Sequence, residues 1–216
     1  MGAGQDDTVA LDGRTLGRRG METRRRLLDA TEELLREKGL RDLRVVDIAR
    51  RVGSSPATFY QYFKDADDAV LVLAWEVVDA VEPIVEIIDG PWEADAGIER
   101  ARRLIAAYVG LWDTHHAVMR VRNLAAEEGD RRFGEARLAS VQQLTDHLCA
   151  KISEFRDAGH VSARIDPYAA AASLVAMIER VGAYHSELER FGPSPEAMIA
   201  TPAMIIFQTV TGSLSA

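Results

Sequence analysis

The chain has 216 residues, 47% of them apolar and 28% charged, a composition that supports one or two packed globular units and excludes a disordered polymer. Its formal net charge of −8 argues at first sight against an anionic partner, but the charge is unevenly placed: residues 13–64 carry +6, residues 1–12 carry −3 and residues 65–216 carry −11. A single cysteine, Cys149, excludes an intrachain disulfide, and the opening MGAGQDDTVA has neither the basic flank nor the apolar stretch of a secretion signal, so the cytoplasm is the expected compartment.

Residues 1–20 mix Gly, Asp and scattered Arg without periodicity and read as a mobile arm. Further on, Leu27, Leu28, Thr31, Leu34 and Leu35 recur at helical spacing, and Lys38-Gly39 supplies a cation over the last turn and a terminating glycine, which predicts a first helix over 22–38. The second helix is short, with Val45, Ile48, Ala49 and Val52 on one face, and it stops at Gly53, where a tight turn uses a positive φ. A third follows at once. Ser55 suits the N-cap, Pro56 suits the first helical position, and Phe59 and Phe63 give an inward face.

Asp65, Asp67 and Asp68 open a fourth helix by offering carboxylates to unsatisfied N–H groups, a reading preferred over a metal site. Residues 69–88 are apolar on more than one face, so this helix is expected to be covered on several sides, and Pro83 should kink or split it. Downstream, helices are expected near 94–113, 117–128, 131–157, 166–189 and 195–213. No alternating strand of useful length and no internal repeat appears, so the expected class is all-α with about nine helices: an arm (1–20), a three-helix head (21–66) and a larger helical body (67–216). Residues 197–216 lack charge for the length of a bilayer span, but Thr201, Pro202, Gln208, Thr209, Thr211, Gly212 and Ser213 are too polar for hydrocarbon. A buried interface helix is the better reading.

Two short helices joined by a tight glycine turn, the second opened by Ser-Pro in a basic surround, have the form of a helix-turn-helix. With Phe59 and Phe63 inward, Ser54, Ala57, Thr58 and Gln61 occupy the outer face and leading end, where small and amide side chains approach base edges in a major groove. Tyr60 and Tyr62 fall at the flanks, within reach of phosphate. Arg24, Arg25 and Arg26 at the first helix and Arg44 at the second are available to hold the backbone. Arg14, Arg18 and Arg19 lie on the arm, which either enters a minor groove or remains a solvated tail.

The stretch RRRLLDATEELLREKGLRDLRVVDIARRVGSSPATFYQYFKDADDAV, residues 24–70, resembles the N-terminal signature of the TetR family of bacterial transcriptional repressors. The D-I-A core of the second helix, the G-S-S turn and the T-F-Y-x-Y-F segment fall in order. The pattern from Ile105 through Asn123, with M-I-E-R at Met177–Arg180, is similar to the actinobacterial ethionamide-resistance subgroup. The resemblance implies base or phosphate contacts by Ser54, Ser55, Ala57, Thr58, Tyr60, Gln61 and Tyr62, with backbone contacts by Lys64 and Arg44. Two departures stand out: Ala66 replaces a phosphate-contacting Lys common at the start of helix four, and Arg44 replaces a Thr common at the start of helix two.

The resemblance further implies that the body is an effector-binding and dimerisation domain, with a homodimer formed through the last two long helices. Residues 169–178, AAAASLVAMI, offer small side chains for close approach, and Met198, Ile199, Met204, Ile205, Ile206, Phe207 and Val210 supply apolar surface. An effector pocket is expected to draw on Trp75, Tyr108, Trp112, Met119, Phe133, Met177 and Tyr184, large residues in stretches with few charges, which favours a mostly apolar effector. Each of these, taken alone, is more often core filling than pocket lining, since aromatics at helical spacing are normal filling. His115, His116, His147, His160 and His185 show no metal-ligand spacing, and no nucleophile elbow, Walker loop or dinucleotide fingerprint is present, so no cofactor, metal or catalytic activity is expected. The expected function is a dimeric repressor on a palindromic double-stranded DNA operator, with no membrane partner, released by a small molecule. The alternative, kept open by Ala66, is a helical small-molecule-binding protein that has lost specific DNA recognition.

Overall fold

The computed structural model describes residues 9–213, so residues 1–8 of the expected arm lie outside it. Among the described residues the regular structure is helical: α1 (Arg18–Lys38), α2 (Val45–Arg51), α3 (Pro56–Phe59), α4 (Ala66–Asp79), α5 (Glu82–Ile88), α6 (Ala94–Glu127), α7 (Arg131–Asp157), α8 (Pro167–Glu189) and α9 (Pro195–Thr211), with a 3-10 turn at Leu40–Asp42. The chain divides into two compact units, one holding residues up to Val78 with Ala117–Arg137, the other Asp79–His116 with Leu138 onward.

In the first unit, Leu27, Leu28, Ile48, Ala49, Phe59 and Phe63 are wholly buried, the apolar set that the helical spacing of the sequence marked out. Each such large side chain stabilises the unit by about 1.5–3 kcal/mol through removal from water. The Phe59 and Phe63 rings stand 5.3 Å apart, and the buried Arg24 guanidinium lies 5.3 Å from the Phe63 centroid, so this cation covers the core instead of reaching outward. At α4, Asp65 Oδ1 accepts from the Asp68 N–H (2.8 Å) and Asp68 Oδ2 accepts from the Lys64 N–H (3.0 Å), a reciprocal cap at the expected place.

Two boundaries differ from expectation at the chain start. α1 begins at Arg18, four residues before the expected start, and residues 9–17 are a folded turn where a mobile arm was expected. Val9 bridges Thr15, the Ala10 N–H donates to the Arg14 carbonyl (2.9 Å), and Ala10 is buried. Backbone pairing of Val9 and Thr15 across Asp12-Gly13 outweighs the polar composition that suggested mobility.

Pro83 does split the long apolar run, ending α4 at Asp79 and opening α5 at Glu82. The loop after α5 is fastened by Trp92, whose indole N–H donates to the Ile88 carbonyl (2.7 Å), and by Arg100, whose guanidinium donates to the Pro91 (2.7 Å) and Ile87 (2.6 Å) carbonyls. The break expected between the helices over 94–113 and 117–128 is present as a kink: α6 is two helices meeting at His115, whose dihedral angles are non-helical (φ −115°, ψ 21°). Thr114 Oγ1 donates to the Gly110 carbonyl (2.8 Å), and a hydroxyl bonded back to the preceding turn bends a helix.

α8 and α9 pack against each other, opened by Asp166 and Ser194, whose side chains accept from Ala169 N–H (2.8 Å) and Ala197 N–H (3.2 Å). Ile206, Phe207 and Val210 are buried within this unit, so of the apolar α9 set only Ile205 is an exposed face residue. No helix among the described residues is long and apolar enough to cross a membrane.

Candidate nucleic-acid interface

The site is built by the turn from α2 into α3. The chain reverses at Gly53 (φ 67°), whose N–H donates to the Arg50 carbonyl (3.1 Å), and Ser54 N–H donates to the Ala49 carbonyl (2.9 Å). Ser55 Oγ then accepts from the Thr58 N–H (3.2 Å) and lies 3.1 Å from Thr58 Oγ1, so both hydroxyls serve the cap of α3. Ser54 is half-buried, with its hydroxyl 3.5 Å from the Ala49 carbonyl.

The remaining outward residues are Ala57, Tyr60, Gln61 and Lys64, all exposed. Tyr60 is 52% exposed and rests edge-on against Phe59 at 5.8 Å, which fixes the ring and leaves the phenol outward. Tyr62 does not join them. It is 8% exposed with its ring 6.4 Å from Phe63, because α3 ends after one turn and its continuation, with Tyr62 N–H and Phe63 N–H both donating to the Phe59 carbonyl, rotates position 62 inward.

The cations around α3 divide into bound and available. Arg25, expected at phosphate, is bound to Asp29 Oδ1 (2.8 Å) and Glu76 Oε1 (2.7 Å). Arg26 donates to the Val52 carbonyl (2.8 Å) and so braces the turn from α1, and Arg51 is shared between Glu33 (3.0 Å) and Glu37 (2.9 Å). Arg18, Arg19, Arg41 and Lys64 have no carboxylate partner among the described residues, and Arg44 is exposed beside Asp47. The basic character read from the sequence therefore rests on a subset of its arginines.

Asp47 in the first turn of α2 joins this network to helix geometry. Its carboxyl is held below the usual carboxylate range, first by the hydrogen bond from Lys38 Nζ (3.1 Å) and further by the charges of Arg50 and Arg44. Arg51 likewise holds the Glu37 carboxyl down. A carboxyl whose folded value is depressed contributes stability above the ordinary carboxylate range and loses it as pH falls through the folded value. Thermal unfolding followed from about pH 6 down to about pH 3 should show a falling midpoint, and Asp47→Asn should make that fall shallower. An unchanged pH profile in the variant would show that the Lys38 pair contributes nothing.

The residues expected to line a ligand site separate between the units. Met119 and Phe133, each 1% exposed, and the half-buried Trp75 belong to the first. Tyr108 (3% exposed), Trp112 (5%) and the half-buried Met177 belong to the second. Tyr184 departs from this inward set: it is 42% exposed, with the Arg180 guanidinium stacked 3.8 Å from its ring, because it falls on the outer face of α8. Tyr108 and Trp112, one turn apart on α6, lie against Gly182 of α8, and the buried indole N–H of Trp112 has no acceptor among the described residues. Among the described residues no group of His, Cys, Asp and Glu is arranged to hold a metal ion.

Sequence reasoning missed two parts of this surface: Arg26 as a brace, and the turn at residues 9–17, where the Leu11 N–H donates to the Gln61 carbonyl (3.0 Å). The Asp12-Gly13 dipeptide, flanked by Leu11 and Leu16, was the signal for the second.

A short capped helix presented beyond a tight turn, where the regular elements of the described residues are helices, is the arrangement of a helix-turn-helix regulator. The signature described as "Bacterial regulatory proteins, tetR family" matches residues 27–68, and that of the "Tetracyclin repressor-like, C-terminal domain" matches residues 84–216. The chain belongs to the TetR family of transcriptional regulators. It is 27% identical over 194 residues to the HTH-type transcriptional regulator EthR of Mycolicibacterium smegmatis, covering 87% of this chain and 86% of the relative. In fold it is similar to the fatty acid degradation regulator FadR from Bacillus halodurans (TM-score 0.66, 17% identity, 90% of this chain and 97% of that one). It is also similar to the transcriptional regulator FadR from Bacillus subtilis, solved in complex with stearoyl-CoA (TM-score 0.63, 19% identity, 88% and 98%).

Proposed function

We propose that the protein is a homodimeric repressor that reads a pseudo-palindromic DNA operator with α3 of each protomer and releases it when a small, mostly apolar effector binds. The observation that carries this reading is the outward face of Ala57, Tyr60, Gln61 and Lys64, exposed and set among available cations in a chain that is otherwise acidic. Two copies related by a two-fold axis would read two related half-sites. The exposed faces of α8, with Tyr168, Ala172, Ala176 and Tyr184, and of α9, with Ile205, are the surfaces offered to the second copy.

Selection of bound duplexes from a random pool near physiological salt, where non-specific attraction is weakened, tests the DNA reading. Enrichment of a palindrome is expected. No enrichment from folded dimer would replace this reading by that of a ligand-binding protein with a silent head.

The effector reading rests on Tyr108 and Trp112, an apolar pair that ends in one unsatisfied donor. A hydrogen bond contributes about 0.5–1.5 kcal/mol net, so a ligand that supplies the acceptor gains that on binding. Hits in a screen for operator release should be mostly apolar molecules with one hydrogen-bond acceptor. Trp112→Phe should weaken them about 2- to 10-fold, the worth of one hydrogen bond. Hits confined to small polar ions, or unaltered affinity in Trp112→Phe, would refute this assignment. Effector coupling of ordinary size, about 1–3 kcal/mol, corresponds to operator affinity lowered about 5- to 150-fold.

A further inference from the structure

The turn at residues 9–17 has no part in the function so far. It carries Asp12 and Arg14 and leads directly into Arg18 and Arg19, a net +2 over residues 9–20, in contrast to the −3 of residues 1–12. It is fastened at one point to the segment that follows α3, where the Leu11 N–H donates to the Gln61 carbonyl (3.0 Å), and Gln61 is one of the outward residues of the reading face. A small open cleft next to this point is walled by Ala10, Arg14, Thr15 and Leu16 on one side and by Gln61 and Tyr62 on the other. The turn therefore stands beside the C-terminal end of the reading segment at a fixed register.

Its cation is also held in one orientation. Asp12 Oδ1 accepts from the Arg14 N–H (3.2 Å), and Asp12 Oδ2 accepts from Arg14 Nε (2.7 Å). The carboxyl of Asp12 is held below its usual range, first by that backbone bond, so it stays an acceptor across the physiological range. Among the described residues, Nε is the part of the guanidinium that is engaged. The side chain is 74% exposed, and its two Nη groups are the donors a planar fork uses on a phosphate.

We propose that residues 9–17 are a built-in extension of the DNA-reading head, which places the Arg14 guanidinium on a backbone phosphate beside the base pairs that α3 covers. This rests on the DNA-binding reading above. The choice of partner follows from continuity with that surface and from charge: the turn, itself neutral, leads into Arg18 and Arg19 of α1, borders Gln61, and carries an exposed guanidinium. Arg14 is a backbone contact and sets register. It does not read a base.

The test uses the full-length protein and the duplex that the wild type selects from the random pool, with single phosphates replaced in turn by neutral methylphosphonates. One phosphate per half-site should be found whose neutralisation weakens the wild type and leaves Arg14→Ala unaffected. The slope of log affinity against log salt should become shallower in Arg14→Ala by about 0.9 per lost phosphate, hence about 1.8 for the two heads of a dimer. Arg14→Lys should restore most of the slope. Leu11→Pro, which keeps every charge and removes the donor to Gln61, should lose the same phosphate coupling. Identical phosphate profiles and slopes for wild type and Arg14→Ala would overturn the proposal while leaving the DNA reading intact. Retention of the coupling in Leu11→Pro would overturn the fastening, and failure of the wild type to select any duplex would remove both readings together.

Discussion

Gln61→Ala should lower affinity for the selected palindrome by about 1–3 kcal/mol per half-site, hence about 2–6 kcal/mol for the dimer on its operator, with random duplex at the same salt bound nearly as before. The argument is geometric. Gln61 is exposed, its carbonyl is taken by the Leu11 N–H, and its side-chain amide has no internal hydrogen-bond partner among the described residues, so truncation removes no internal hydrogen bond and, in the proposed complex, leaves a base edge unpaired. An amide paired to adenine uses both its donor and its acceptor, and alanine supplies neither. Tyr60→Ala should act in the same direction, since the ring is 52% exposed and only one edge touches Phe59. Tyr62→Ala should behave differently: it removes a buried ring packed on Phe63 and should lower the unfolding temperature of the head before it changes sequence preference. Competition binding of each variant to selected and random duplexes, beside its melting curve, separates the two effects. Equal losses on both duplexes for Gln61→Ala would place α3 outside the groove.

The parts of this surface that were legible in the sequence are those encoded locally. The cap at Ser55, the Gly53 reversal and the split at Pro83 each depend on a few adjacent residues, and all lie where the sequence places them. The inward pair Phe59 and Phe63 follows from spacing alone. What the sequence did not show depends on partners far along the chain. Arg25 reads as free cation until Glu76, 51 residues later, is found to hold it. Tyr62 reads as a flank residue because a regular helix was extrapolated past Phe59, where the structure has only a turn. Residues 9–17 read as mobile because a polar composition says nothing of a single backbone bond to Gln61. Tyr184 illustrates the same limit on α8: helical spacing gives a residue a face, and only the neighbouring helices decide whether that face is covered.

Gly97→Ala should be among the most destabilising single-methyl additions available in this chain, costing about 3 kcal/mol or more and lowering the unfolding midpoint by about 6–12 °C. Gly97 is buried in the first turn of α6, and a Cβ there would fall on the Trp92 backbone carbonyl and 2.7 Å from Phe207 Cε2. Neither neighbour can yield cheaply. The Trp92 segment is fixed by the indole bond to Ile88 and by Arg100 on the Pro91 and Ile87 carbonyls, and Phe207 is 3% exposed in the packed face of α9. Relief would have to shift a backbone carbonyl already tied on both sides, which is costlier than rotating a side chain. Gly110, later on the same helix, supplies the opposite case. It is exposed, and a Cβ there meets nothing within 4 Å, so Gly110→Ala should raise stability by about 0.5–1 kcal/mol through helix propensity. Melting curves of the two variants at one protein concentration should therefore shift in opposite directions. A Gly97→Ala protein that melts with or above the wild type would mean that the loop after α5 is free to move away from α6, and that the bonds of Trp92 and Arg100 do not hold it there.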